Sequence, residues 1–204
     1  MILCSFVPLL LVCLLGAMSP GPSLAMIFKH SLAGGRLNGI VAAWSHAMGI
    51  GVYAVLTVLG LSYALQQAEW LFKGISLLGA GYLAYLGWKA IRSDGGVAAS
   101  LQRGEAVSLW QSAKEGALIS LLNPKIALFF IALFSQFIST EPTNSAWLLL
   151  VLTPLIVDGL WYTLIALLLS YPAITQILQQ RAVIIDRLSG GILLLLAARV
   201  VTQM

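Results

Sequence analysis

Charged side chains are scarce in this sequence: Asp, Glu, Lys and Arg together supply 9% of its 204 residues, against 60% hydrophobic ones. A soluble domain carries roughly 25% charged residues, because its surface has to be wetted. With a mean hydropathy of +0.96 the chain reads as an integral membrane protein. Cysteine is scarce too. Cys4 and Cys13 fall on one expected helix, about 13 Å apart at a rise of about 1.5 Å per residue, too far for a disulfide with each other. They read as small packing or lipid-facing residues. Enzymatic signatures are also missing. There is no Gly-x-Ser-x-Gly elbow, no His-Glu-x-x-His, no phosphate loop, no Cys-x-x-Cys pair and no intramembrane aspartate pair. No enzyme, metal or cofactor is therefore called for, and without a nucleotide loop any uphill transport has to draw on an ion gradient.

What the chain does have is apolar length. Six runs, approximately 2–28, 40–65, 70–91, 116–138, 146–170 and 188–203, approach the roughly 20 residues that cross a bilayer core. The first resembles a secretory signal around Ala17 and Ser19. No Lys or Arg precedes it, however, and its apolar character resumes after Pro22, so it is expected to stay. Of the 11 Lys and Arg residues, eight (Lys29, Arg36, Lys89, Arg92, Arg103, Lys114, Arg181 and Arg187) lie in or beside the first, third and fifth loops. Lys73 and Arg199 belong to the opposite side, and the positive-inside rule then places both termini outside. The net charge of +4 is thus membrane topology, and no nucleic-acid partner is needed to explain it.

The longest polar stretch, "RSDGGVAASLQRGEAV" from Arg92 to Val107, divides the six runs into three and three. The expected organisation is a first repeat over 1–95, a cytoplasmic linker over 96–107 and a second repeat over 108–204. The halves echo one another: "SPGPSLAMIF" against "LNPKIALFFI", and "GAGYLAYLGWKAIR" against "SGGILLLLAARVV". Three runs per half reverse the direction of the second copy. The fold class expected is therefore all-α, with six transmembrane helices arranged as two inverted three-helix repeats.

Segments one and four of this scheme are interrupted at corresponding places, by Ser19-Pro20-Gly21-Pro22 and by Asn123-Pro124-Lys125. The prolines remove backbone donors and Gly21 is expected to supply conformations a helix forbids. Unpaired peptide groups cost several kcal/mol in lipid, so such a break has to face protein or a water-filled cavity. The half-helices after the breaks would aim free N–H groups there, which suits a carboxylate. An ordinary proline kink is the alternative, and two breaks in matching positions favour a binding site.

Asp158 sits mid-way along the fifth run, where a carboxylate costs at least about 2.5–3.5 kcal/mol. It is read as a site that a substrate ammonium and a proton share in turn, or else as a structural partner of Lys125. Lys125 itself either meets an anionic substrate group or reaches for the interface. His46, in the second run, is the other candidate for the proton, with plain packing as its alternative. Gly39, Ala43, Ala47 and Gly51 form a small-residue stripe that lets helices approach, within the chain or between subunits. The six tryptophans mostly mark segment ends, where aromatic belts belong.

Together these residues resemble the lysine-exporter superfamily, in its homoserine and threonine efflux branch. The likeness runs through Ser19-Pro20-Gly21-Pro22, the region of Gly49 and Gly51, "GAGYLAYLGWKAIR", "NPK" with "FFIALFSQF", Val157-Asp158 and "GGILLLLAAR". Asn123 to Phe137 is its most specific part, and Ser135, where members often carry proline, is a departure. The resemblance implies a six-helix exporter of amino acids or small derivatives in the bacterial cytoplasmic membrane, driven by the proton gradient and often dimeric. Ser19, Pro20, Gly21, Pro22, Asn123, Pro124, Lys125 and Asp158 form the expected substrate site, with Asp158 and His46 coupling the proton. The rival readings are a membrane-embedded redox protein or enzyme, which would need an active Cys4 or Cys13, and a passive channel.

Overall fold

The computed structural model describes residues 2–19, 21–67, 69–92, 107–134, 137, 144–169 and 171–202. All regular structure among them is helical: α1 (Ile2–Met18), α2 (Pro22–Gly34), α3 (Arg36–Gln67), α4 (Glu69–Ile91), α5 (Leu109–Leu122), α6 (Pro124–Phe134), α7 (Asn144–Leu168) and α8 (Pro172–Thr202). Within the described residues each apolar run has become helix, and the first and fourth are broken just before Pro22 and Pro124. The bend is 63° between α1 and α2, and 52° between α5 and α6. By length and composition α3 and α7 can each cross a membrane, and each bent pair can do so as one broken span.

Three boundaries differ from the sequence expectation. The first loop shrinks to Gly35, whose φ of 79° is the left-handed conformation that glycine adopts without strain. Segment four starts at Leu109 instead of 116, because the Ser108 hydroxyl accepts the Gln111 N–H at 3.2 Å and caps the helix. Segment six starts at Pro172 instead of 188. Its polar composition marks 172–187 as a loop, yet Leu, Gln, Ala and Arg are good helix formers and proline suits the first helical position. Of the expected linker 96–107, only Val107 falls within the described residues.

Helix α3 packs along both α5 and α7, α4 packs along α8, α1 lies on α7, α2 on α3 and α6 on α4. Lipid is as apolar as leucine, so helices associate in a membrane through close contact and not through a hydrophobic force. Glycines make that contact here. A Cβ on Gly87 would meet the Gly190 carbonyl oxygen at 2.7 Å, and one on Gly190 would meet that of Gly87 at 2.6 Å, where α4 crosses α8. On α3, Gly51 abuts Leu155 of α7, while Ala43 and Ala47 are fully buried. The small-residue stripe is therefore used inside the chain. Two core clusters result, one around Leu9, Val58, Leu83, Phe130 and Phe134, the other around Ile27, Phe28, Ala42, Tyr162 and Ile165.

Gly116 sits directly against the Ala42 backbone carbonyl, whereas Gly81 is exposed with nothing near its missing Cβ. Gly116→Ala should destabilise the protein by about 1–3 kcal/mol through overpacking. Gly81→Ala should be neutral or gain up to about 1 kcal/mol from helix propensity. Unfolding of the two variants in detergent, followed by circular dichroism, measures the contrast.

Candidate functional site

The two interruptions meet. Helix α1 ends as the Ser19 N–H donates to the carbonyls of Leu15 and Gly16, at 3.1 and 3.2 Å. The Lys125 ammonium, just beyond the second break, donates to the Ser19 carbonyl at 3.1 Å and to its hydroxyl at 2.8 Å. Gly21 has a φ of 171°, extended backbone that leaves the helical region as expected and is open to any residue. Room there is tight: a Cβ would lie 3.1 Å from the Lys125 nitrogen, and the ammonium would have to give by a few tenths of an ångström. Pro22 opens α2 and Pro124 opens α6, positions where a missing N–H costs nothing. Pro20 lies outside the described residues.

Asn123 changes the picture of the second break. Its side-chain oxygen accepts the Lys125 N–H at 3.0 Å, and its carbonyl accepts those of Ile126 and Ala127 at 3.0 and 3.4 Å. The amides after this break are thus occupied by the capping residue and do not stand free, as the sequence had suggested. Helix α2, by contrast, has no side-chain cap at its N-terminus.

Asp158 is buried on α7, and the partner the structure gives it is His46 of α3. Nδ1 of His46 lies 2.7 Å from the carboxylate, and Nε2 lies 2.9 Å from the Ser23 hydroxyl of α2. The pairing with Lys125 considered from sequence is replaced by this one. With Asp158 ionised, Nδ1 carries the proton and donates it to the carboxylate, which leaves Nε2 of a neutral ring to accept from Ser23. Asn123 reaches the same hydroxyl at 3.5 Å, and the Tyr162 ring stands edge-on to His46 at 5.3 Å. Ser23 and Tyr162 were not singled out from the sequence. Neither has a charge or a motif to mark it, and each gains meaning only once α2, α3 and α7 are placed together.

Ser23, His46, Asp158 and Tyr162 line a chamber of about 50 Å³ together with Cys13, Gly16, Phe129 and Phe130, room for roughly three or four waters. Beside it opens a vestibule of about 940 Å³, walled by Tyr82, Tyr85, Trp88, Lys89, Arg92 and Asp186. Ser19, Gly21 and Lys125 border both spaces. The second cysteine of the redox reading, Cys4, has no described side chain, and Ser135 lies outside the described residues.

A further polar cluster joins α2 to α5. His30 is fully buried, with Nε2 2.9 Å from Glu115 and Nδ1 2.9 Å from the Ser112 hydroxyl. Lys29 donates to the same carboxylate at 2.7 Å and Gln111 at 3.0 Å, while Asn38 donates to Ser112 at 2.9 Å. From sequence Lys29 is only a loop cation. The spacing of Ser108, Ser112 and Glu115 on one helical face is the signal that could have marked the cluster.

The sequence profile of the LysE type translocators matches residues 14–204. The chain belongs to this family. It is 27% identical over 192 residues to the threonine efflux protein of Escherichia coli K12, covering 92% of each chain. It is 29% identical over 190 residues to the E. coli membrane protein YahN, covering 91% of this chain and 83% of that one. With the leucine efflux protein of Enterobacter sp. strain 638 it shares 32% identity over 133 residues, 65% of this chain and 63% of that one. No solved structure matches. Membership of a translocator family makes the chain a membrane transporter and not an enzyme.

The His46–Asp158 bond can be weighed by a double-mutant cycle. Asp158→Asn and His46→Gln should each destabilise the protein, and together cost less than their sum, with a coupling of about 0.5–3 kcal/mol. Unfolding of the four proteins in mixed detergent reads it, and additive effects would mean that the two side chains do not support each other.

Proposed function

We propose that this chain exports amino acids or small amino-acid derivatives from the bacterial cytoplasm in exchange for protons, by alternating access. The observation that carries the reading is the junction itself: a cation at the meeting of two broken helices, beside a buried carboxylate paired with histidine. The names of the relatives, threonine and leucine efflux proteins, support the substrate class. Six spans in two inverted repeats fit the packing, since α3 lies along α7, α4 along α8, and α1 on α7 answers α5 on α3. Lys89 and Arg92 at the vestibule support a cytoplasmic position for that side by the positive-inside rule, with both termini outside. An exporter has to load from that side.

In this mechanism a zwitterion arrives through the vestibule. Its carboxylate takes the Lys125 ammonium and the uncapped start of α2, and Lys125 gives up Ser19 to receive it. Its ammonium takes Asp158. An approaching cation and a proton on the His46–Asp158 pair repel one another, so substrate drives the proton off and a proton from outside drives substrate off.

Protein reconstituted in vesicles should accumulate labelled threonine or leucine against its gradient when a pH gradient is imposed, return it chemically unchanged, and stop when a protonophore is added. Absence of movement for all twenty amino acids would sink the reading, and movement only down the gradient would make the protein a channel. Asp158→Asn should weaken binding by about 2–5 kcal/mol, as for truncating one side of a poorly solvated ion pair, and the residual binding should lose its pH dependence. Normal transport with an unchanged pH profile would leave Asp158 structural.

Topology is tested separately. Cysteine reporters at Gly95 and Thr143, which both lie outside the described residues, should label from opposite faces, Gly95 from the cytoplasm. Labelling of both from one face would overturn the six-span arrangement.

A further inference from the structure

The chamber that holds His46 and Asp158 has two thin walls, and one short helix supplies both. Toward the vestibule the wall is Lys125, latched to Ser19. On the far side lies a seam of about 10 Å³ between α1, α4, α6 and α8, lined by Val12, Leu83, Ala132, Leu196 and Arg199, too small for more than roughly one water. Phe129 borders both the seam and the chamber. The far edge of its ring lies against Gly16 of α1, so close that a Cβ on Gly16 would overlap it, and it packs edge-on to Phe130. Lys125 and Phe129 are four residues apart on α6 and therefore share a face, one turn above the other.

We propose that Phe129 is the outer gate of the chamber, as Lys125 is the inner one, and that the outer gate opens when α6 swings about Asn123. The lever arms favour this division. Phe129 is six residues from Asn123, about 9 Å along the helix, whereas Lys125 is two residues and about 3 Å away. A tilt at the break thus carries the ring off Gly16 while the ammonium stays near Ser19. The packing of α6 shows what holds the gate shut: a Cβ on Gly79 of α4 would meet the Ala132 backbone nitrogen at 3.0 Å, which brings the two helices nearly into backbone contact. Among the described residues helix α2 has no comparable packing on α8, the matching contact in the other half, and there the vestibule stands open. The gate role rests on the transporter reading, but its test uses no substrate.

Cys13 lines the chamber and, in a Cys4→Ser background, is the sole thiol in the chain. It reports access when a small, charged, membrane-impermeant methanethiosulfonate is added to vesicles of either orientation. Phe129→Ala should speed modification from the Arg199 side by about ten-fold or more, since thiol reactivity follows exposure, and leave the rate from the vestibule side unchanged. Lys125→Met should do the reverse. If Phe129→Ala does not elute as a folded species, Phe129→Leu, which removes the ring from Gly16 and keeps a bulky apolar side chain, is scored in the same way. Equal acceleration from both sides, or none from the Arg199 side, overturns the proposal. Failure to transport any amino acid would overturn the proposed substrate and leave the gate result standing.

Discussion

A peptide group that has lost both its helical partner and its water costs several kcal/mol in hydrocarbon, and the rest of this structure is arranged around two places where that happens. At the first, the Ser19 carbonyl takes an ammonium from the other half of the chain. At the second, Asn123 turns its own side chain and carbonyl back on the amides that follow. One break is completed from within and the other from outside. That asymmetry fixes the distance between them, since Lys125 can reach Ser19 only where the end of α1 and the start of α6 stand side by side. The absence of a side chain at Gly21 keeps the place open.

Polar chemistry in so apolar a chain is concentrated in two layers, and α2 carries a member of each. Ser23 and His30 are seven residues apart and thus nearly in line along the helix. Ser23 belongs with His46, Asn123 and Asp158, and His30 with Glu115, Ser112 and, through Ser112, Asn38. In both layers a buried imidazole touches a carboxylate with one nitrogen and a serine hydroxyl with the other. Only the first lines the chamber. The second sits where α2 and α5 run together, and ties the half-helix after the first break to the half-helix before the second.

Much of this was legible in advance. Runs of apolar residues set the helices, prolines set both breaks, and a carboxylate with no reason to be in lipid drew attention to Asp158. What stayed hidden depends on neighbours distant in the chain. His46 finds Asp158 112 residues away and His30 finds Glu115 85 away, and no local pattern encodes such pairings. The early start of α8 was obscured for a different reason: polarity was read as a loop, although a helix packed against another protein helix needs only one apolar face. Which neighbour crowds Gly21 could not be read from the sequence either, because Lys125 comes to it from the other half of the chain. Asn123 was counted as part of a break when it is also a cap, a dual role that the sequence Asn-Pro-Lys does not separate.

The long reach of these pairings has a consequence for how the protein is made. At about 5–20 residues per second, Lys29 and His30 leave the ribosome roughly 4–17 s before Glu115, 86 and 85 residues behind them. His46 waits longer for Asp158. During synthesis the two histidines of the first half therefore lack, for a time, the carboxylates they finally bind. The nascent first half has to shelter them with water at the membrane surface or with the insertion machinery until the second half arrives.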